Sequence, residues 1–237
     1  TGPTGSGKTT TLYAFIHELN NPGVKIITLE DPVEYKVEGI QQTPIDHRVD
    51  FNFAKGLRAV LRQDPDVVMV GEIRDPETAE TALQAALTGH VVLSTLHTND
   101  AAGAVPRLVT MGVKPFTIAP ALNAIIAQRL VRRLCTVCIK PAKIDGVLLE
   151  KVQHILSEIP AAAGVKVPKE LQFYHSDGCD ACGGLGYKGR IGVYEMLLVD
   201  EKIEALIMKE SAESEIKKAA TEQGQITVRQ DGLLKVL

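Results

Sequence analysis

Gly2-Pro3-Thr4-Gly5-Ser6-Gly7-Lys8-Thr9 opens the chain, and its reading governs everything that follows. The stretch matches G-x-x-x-x-G-K-[ST] at every fixed position, the pattern of a loop that cradles phosphate oxygens. Glycines let the backbone turn tightly enough for successive N–H groups to converge on an anion. The spacing predicts that Lys8 reaches a β- and γ-phosphate and that the Thr9 hydroxyl holds Mg²⁺. A helix predicted over 9–20 would point the positive end of its dipole at the same anion. A loop of this kind ordinarily follows a buried strand, but only Thr1 precedes Gly2. The apolar run Leu233-Leu234-Lys235-Val236-Leu237 carries no helix stop signal. Both termini therefore read as the cut ends of a fragment.

Outward from the loop, strand and helix patterns alternate. The apolar runs 25–29, 66–70 and 90–96 read as central strands of a parallel sheet, buried on both faces. Helices are expected over 53–63 and 76–88. Strand–helix–strand repetition implies right-handed crossovers and an open α/β sheet, with ligands beyond the carboxyl ends of the strands. Glu30, Glu72 and His97 stand at or just past those ends, on the edge expected to carry the loop. From Asn99 the pattern turns helical. One helix is expected between a cap at Asn99 or Asp100 and a stop at Gly112, and a longer one over 115–133. Residues 147–159 are amphipathic, 177–192 are Gly-rich and irregular, and helices are expected over 200–209 and 211–223.

A net charge of −3 argues against broad electrostatic contact with DNA or RNA. No apolar run approaches a membrane span, and no signal peptide is visible. With no Trp and only 4% aromatic residues, the core has to be built from Val, Ile, Leu and Ala.

Glu30-Asp31-Pro32-Val33-Glu34 puts three carboxylates at a strand end. Beside a phosphate loop, one can activate the attacking water and another can bind Mg²⁺ through water. Elsewhere the same stretch would be a solvated turn. Glu72 follows the run 67–70 where a buried strand delivers a carboxylate to the metal. Asp is the usual residue there, and the longer Glu suits contact through a metal-bound water. Arg74 and Asp75 are expected to pair locally. His97 is either a donor to the γ-phosphate or a structural histidine. Arg58 with Arg62, and Arg129 with Arg132 and Arg133, either reach phosphate or a neighbouring subunit or form solvated basic faces.

Cys135-Thr-Val-Cys138 and Cys179-Asp-Ala-Cys182 are two C-x-x-C knuckles. Four thiolates so spaced suit a closed tetrahedral Zn²⁺ site, with no open position for substrate and hence a structural role. Free or redox-active thiols are the alternative. The spacing suits a metal site in a reducing cytoplasm better than disulfides.

The boxes at 2–13, 27–35, 70–75 and 88–99 come in an order that resembles the secretion ATPases of the type II secretion and type IV pilus superfamily. There they are the Walker A, Asp, Walker B and His boxes. The tetracysteine motif and Gly189-Arg190-Ile191-Gly192-Val193-Tyr194-Glu195 resemble the assembly branch of that superfamily more than the pilus-retraction branch. The resemblance implies an α/β fold: a RecA-like P-loop NTPase core with a mostly parallel sheet over 1–134, a tetracysteine zinc-binding module over 135–192 and a C-terminal helical segment over 193–237. It also implies a cytoplasmic homo-hexameric motor at the inner membrane, which hydrolyses ATP and acts on a platform protein to assemble pilins or pseudopilins. ATP, Mg²⁺ and Zn²⁺ are the implied cofactors. By matching position, Gly2, Pro3, Thr4, Gly5, Ser6, Gly7, Lys8, Thr9 and Thr10 hold nucleotide and Mg²⁺. Glu30 is the catalytic acid, Glu72 the Walker B carboxylate, and His97, with His90 behind it, the His box. Members also carry an N-terminal domain with arginine fingers, which lies outside this sequence. Two other classes stay open: a nucleotide-sensing assembly module without turnover, and a RecA-like nucleic-acid motor.

Overall fold

The computed structural model describes residues 1–168 and 170–237. Its first half is built on four parallel strands, β1 (Ile26–Glu30), β2 (Gln41–Pro44), β3 (Val67–Val70) and β4 (Val91–Ser94), in the order β2-β1-β3-β4. Leu29 lies beside Val70 and Val70 beside Ser94, so the central strands finish on one edge. The helix α1 (Lys8–Leu19) precedes β1, and the crossovers run through α2 (Phe53–Leu61) and α3 (Pro76–Leu87). Residues of β1 and β3 are buried throughout because both faces are covered. Ile27, Leu29, Val68 and Val70 join the core beneath α2 and α3, and Ile26, Val67 and Met69 pack on Leu12, Tyr13 and Ile16 of α1. Side-chain caps start the crossover helices: Asn52 accepts from the Lys55 amide, and Asp75 from that of Thr78. Each cap contributes about 1 kcal/mol. The Asp75 carboxylate is thereby committed, and Arg74 pairs with Glu72 instead of the expected Asp75. The polar strand β2 was not expected from the sequence. It lies at the sheet edge, where Pro44 costs no ladder bond.

The second half starts with α4 (Ala104–Thr110) and α5 (Pro115–Ala121). Asp100 accepts from the Gly103 amide at the entry to α4, and Gly112 takes φ 90° after it. The long helix expected over 115–133 is not formed. Its second part is β5 (Ala124–Leu134), which pairs antiparallel with β8 (Tyr187–Leu198) from Ala124 opposite Leu198 to Leu134 opposite Tyr187. The branched residues Ile125, Ile126 and Val131 favour a strand, and the distant partner settles the outcome over local helix propensity. The expected irregular stretch 177–192 is correspondingly replaced from Tyr187 by β8. Because β8 runs from 187 to 198, it also crosses the boundary expected at 192/193.

Between the ribbon strands lie β6 (Ile139–Ala142), α6 (Gly146–Ser157) and β7 (Phe173–Ser176), with β6 antiparallel to β7. After them come α7 (Glu201–Met208), α8 (Glu213–Glu222) and α9 (Val228–Val236). Leu233, Leu234 and Leu237 close over Val152, Leu156 and Phe173. Glu195 of β8 is buried. It accepts from the Ala101 amide at 2.9 Å and the Val228 amide at 3.3 Å, tying the ribbon to α4 and α9. Among the described residues no helix is long and apolar enough to cross a membrane.

Candidate functional site

A cleft of about 620 Å³ opens at the carboxyl edge of the parallel sheet. Thr4, Gly5, Gly7, Lys8, Thr9 and Thr10 form one wall, while Glu30, Glu72 and His97 come to it from the ends of β1, β3 and β4. The four groups singled out on separate segments of the sequence (Lys8, Glu30, Glu72 and His97) thus share one cavity. Gly2, Pro3 and Ser6 do not line the cleft; Gly2 and Ser6 are buried and Pro3 is exposed.

The loop is built for an anion. Gly7, at φ 88°, is the N-cap of α1; no side chain caps that helix, and no acidic residue sits in its first turn. The first-turn amides have no partner within the helix and, with the dipole, favour negative charge there. Lys8 Nζ folds over the loop and donates to the carbonyls of Gly2 at 2.9 Å and Pro3 at 3.0 Å. Its pKa is lowered, first by burial and then by Arg129, while Glu72 opposes the shift. Gly2 has no room for a side chain: at φ 147°, a Cβ would lie 2.6 Å from both the Gln128 carbonyl and the Ser6 hydroxyl.

The loop is held from β5. The Thr1 nitrogen donates to the Ile126 carbonyl, and the Gln128 amide donates to the Thr1 carbonyl at 3.0 Å. The buried Gln128 side chain donates to the Ser6 carbonyl at 2.7 Å and accepts from the Thr11 hydroxyl at 2.9 Å. Sequence reasoning missed Gln128; its signal was a neutral polar residue inside the run Ala124–Leu134. Arg190 of β8 also lines the cleft.

Glu30 is the last residue of β1, not the first after it, and only 2% exposed. Tyr13 and Thr28 donate to its carboxylate from their hydroxyls, and Gln42 donates from its side-chain amide. Asp31 also lines the cleft and pairs with the exposed His47, at 2.9 Å. Glu72 is bound by Arg74 Nε at 2.7 Å and has His97 Nε2 at 3.7 Å. The turns bearing Glu72 and His97 are joined by two bonds: Thr95 donates to the Gly71 carbonyl, and the Ile73 amide donates to the Thr95 carbonyl.

His90 does not stand behind His97. It precedes β4 at the opposite end of the strand, where its Nδ1 lies 3.0 Å from the Ala85 carbonyl near the end of α3. The arginine groups also separate. Arg58 pairs with Glu77, Arg132 stacks on Tyr187 at 3.9 Å from the ring centroid, and Arg129 donates to the Asn99 carbonyl at 2.6 Å. A strand turns successive side chains to opposite faces, so the expected cluster 129–133 is divided.

The four cysteines form the second candidate site. All four Sγ atoms lie within 4.8 Å of one another, with Cys135 3.9 Å from Cys179, Cys138 3.9 Å from Cys182 and Cys179 3.8 Å from Cys182. A tetrahedral Zn²⁺ with Zn–S bonds of about 2.3 Å sets its sulfurs about 3.8 Å apart, so this cage has the right size. Amide donors of Cys179 and Gly186 pull the Cys182 thiol down to about 6, which suits a thiolate ligand. Burial pushes Cys138 up to about 11; a cation between the sulfurs would reverse that. Cys135 directly follows β5, and Cys182 shortly precedes β8, so the cage closes the tip of the ribbon.

A phosphate loop opening α1, with carboxylates from neighbouring strand ends, defines a P-loop nucleotide-binding domain on a parallel α/β sheet. The same fold occurs in the Legionella pneumophila ATPase DotB, with a TM-score of 0.64 and 26% identity, covering 99% of this chain and 54% of that one. It also occurs in the pilus retraction motor PilT solved with ADP, with a TM-score of 0.60 and 30% identity, covering 98% of this chain and 58% of that one. The family model described as Type II/IV secretion system protein matches residues 1–237, and the chain belongs to that family. The type II secretion system protein E of Pseudomonas aeruginosa is 52% identical over 237 residues, which are 100% of this chain and 45% of that protein. The type IV pilus assembly ATPase PilB of Thermus thermophilus is 47% identical over 237 residues, again 100% of this chain but 26% of the relative. The chain therefore spans less than half the length of these relatives.

Proposed function

We propose that the full-length protein carrying this domain is an ATP-hydrolysing motor subunit that works as a homo-hexamer. It would act in the cytoplasm at the inner membrane, on a platform protein that adds pilins or pseudopilins to a filament. The observation that carries this reading is the convergence of Lys8, Glu30, Glu72 and His97 on one cleft. Residues 2–10 cradle the triphosphate, and Lys8 leaves its two carbonyl partners for the β- and γ-phosphates. Glu30 meets the water that attacks the γ-phosphorus in line with the leaving ADP oxygen, and takes up its proton. Thr9 and Glu72 would hold Mg²⁺, Glu72 through water; the ion supplies neutralisation of the charge shared by the β- and γ-oxygens. His97, beside Glu72, reports whether a terminal phosphate is present, and differential contact with that phosphate drives motion between domains.

Phosphate release from ATP by the purified full-length protein is the direct test. Measurable turnover that DNA leaves unchanged is the expected result. Nucleotide binding without turnover would favour a sensing module, and DNA stimulation a nucleic-acid motor.

We also propose that Cys135, Cys138, Cys179 and Cys182 hold a structural Zn²⁺. Metal analysis is expected to find about one zinc per chain. Cys135→Ser is expected to lose it and to open 135–186 to protease before the parallel sheet unfolds. A metal-free protein with that segment fully protected would rule the site out.

A further inference from the structure

The Glu30 carboxylate is gripped on nearly every side. Tyr13 is 1% exposed and Thr28 0%, so two of its three donors are as buried as the carboxylate itself. Thr28 donates to Oε1 at 2.5 Å, Gln42 Nε2 donates to the same oxygen at 3.1 Å, and Tyr13 donates to Oε2. A carboxylate offers about four acceptor sites. Three are taken here, and the one left is on Oε2.

Gln42 does more than hold Glu30. Its Nε2 also donates to the Tyr35 carbonyl at 3.0 Å and stands 3.2 Å from the Tyr13 hydroxyl. Its Oε1 accepts from the Val37 amide at 2.8 Å. The Tyr13 ring packs on Tyr35 with centroids 4.4 Å apart. Tyr13 lies on α1, the helix whose first turn forms the phosphate loop, and Tyr35 lines the cleft. One bonded group therefore connects the phosphate-facing helix, the acid and the cleft wall.

We propose that Tyr13 and Gln42 are positioning residues for hydrolysis. Together with Thr28 they hold the Glu30 carboxylate in one orientation, with the remaining acceptor site of Oε2 kept for the attacking water. This rests on the reading of Glu30 as the acid that meets that water. Burial, followed by the bond to Glu30, pushes the Tyr13 hydroxyl up to about 12. Tyr13 accordingly stays a donor at any working pH. It is the orientation of Glu30, not the grip on nucleotide, that the pair controls.

The test is steady-state ATP hydrolysis by full-length Tyr13→Phe and Gln42→Met, beside Glu30→Gln and the two double variants. Phe keeps the ring on Tyr35, and Met keeps the length of Gln42 without its donors. Each single variant is expected to lose about 10- to 100-fold in kcat, the scale of a misplaced catalytic group. KM and the affinity for a non-hydrolysable ATP analogue should stay within about twofold, the pattern of an interaction made only at the transition state. In the Glu30→Gln background neither change should cost anything further, because groups acting as one unit are non-additive. A Gln42→Met variant with normal kcat would overturn the proposal, as would losses that simply multiply with Glu30→Gln. A Tyr13→Phe variant that loses thermal stability while keeping kcat would do the same. If Glu30→Gln itself keeps full kcat, the role of Glu30 falls, and this proposal falls with it. If Glu30→Gln is inactive and both single variants are not, only the positioning role falls.

Discussion

Lys8→Ala in the full-length protein is expected to reduce ATP turnover by about 100-fold or more, the cost of deleting one well-placed charge-stabilising donor. Nucleotide binding should weaken with it, because the loop amides alone would then face the β- and γ-phosphates. The fold should be untouched. Among the described residues, Lys8 Nζ binds only two carbonyls of its own loop, those of Gly2 and Pro3. The loop takes its shape from Gly2, Gly5 and Gly7 at positive φ and from Gln128 beneath it. A thermal midpoint close to wild type, with phosphate release lost, is the combination to look for. Undiminished hydrolysis by this variant would refute the motor reading.

Glu30→Gln should separate binding from chemistry. Removing a general base costs about 10²- to 10⁴-fold in kcat, while the amide fills nearly the same volume and leaves the phosphate cradle intact. The surroundings of Glu30 add a second effect. Tyr13, Thr28 and Gln42 are all arranged as donors. A glutamine offers them one acceptor oxygen and turns an NH₂ toward at least one donor. Leaving a buried donor unmet costs about 1–3 kcal/mol, so a lowered melting midpoint should accompany the loss of turnover. Glu30→Asp is the companion measurement. It keeps the charge but withdraws it by one methylene, and kcat should fall while nucleotide still protects against unfolding.

The legible parts of this molecule are those whose signals are local. The loop at 2–9 is a contiguous motif, and β1, β3 and β4 are short apolar runs bounded by polar turns. The crossover helices start at the side-chain caps Asn52 and Asp75. Even the meeting of Glu30, Glu72 and His97 followed from one rule about strand ends in parallel sheets. The errors fall where the deciding partner is remote. Residues 124–133 read as the end of a helix because nothing nearby reveals β8, which lies beyond the whole cysteine-bearing segment. Gln42 went unnoticed because β2 is polar and sits at an edge, without the alternation that marks a half-buried strand. His90 was set behind His97 by box order, although the run 90–96 already places it at the start of the strand that His97 follows.

The pairing of β5 with β8 carries three separate checks on its own alignment. Gln128 has to meet the Ser6 carbonyl, Glu195 the Ala101 amide, and Cys135 the sulfurs beyond the ribbon's other strand. Sliding one strand by a single residue turns each of its side chains to the wrong face. That error would spoil the phosphate loop, a buried acid and the thiol cage together. A misaligned ribbon therefore cannot survive as a nearly native competitor, and the molecule proofreads this long-range contact with chemistry it already needs for other ends.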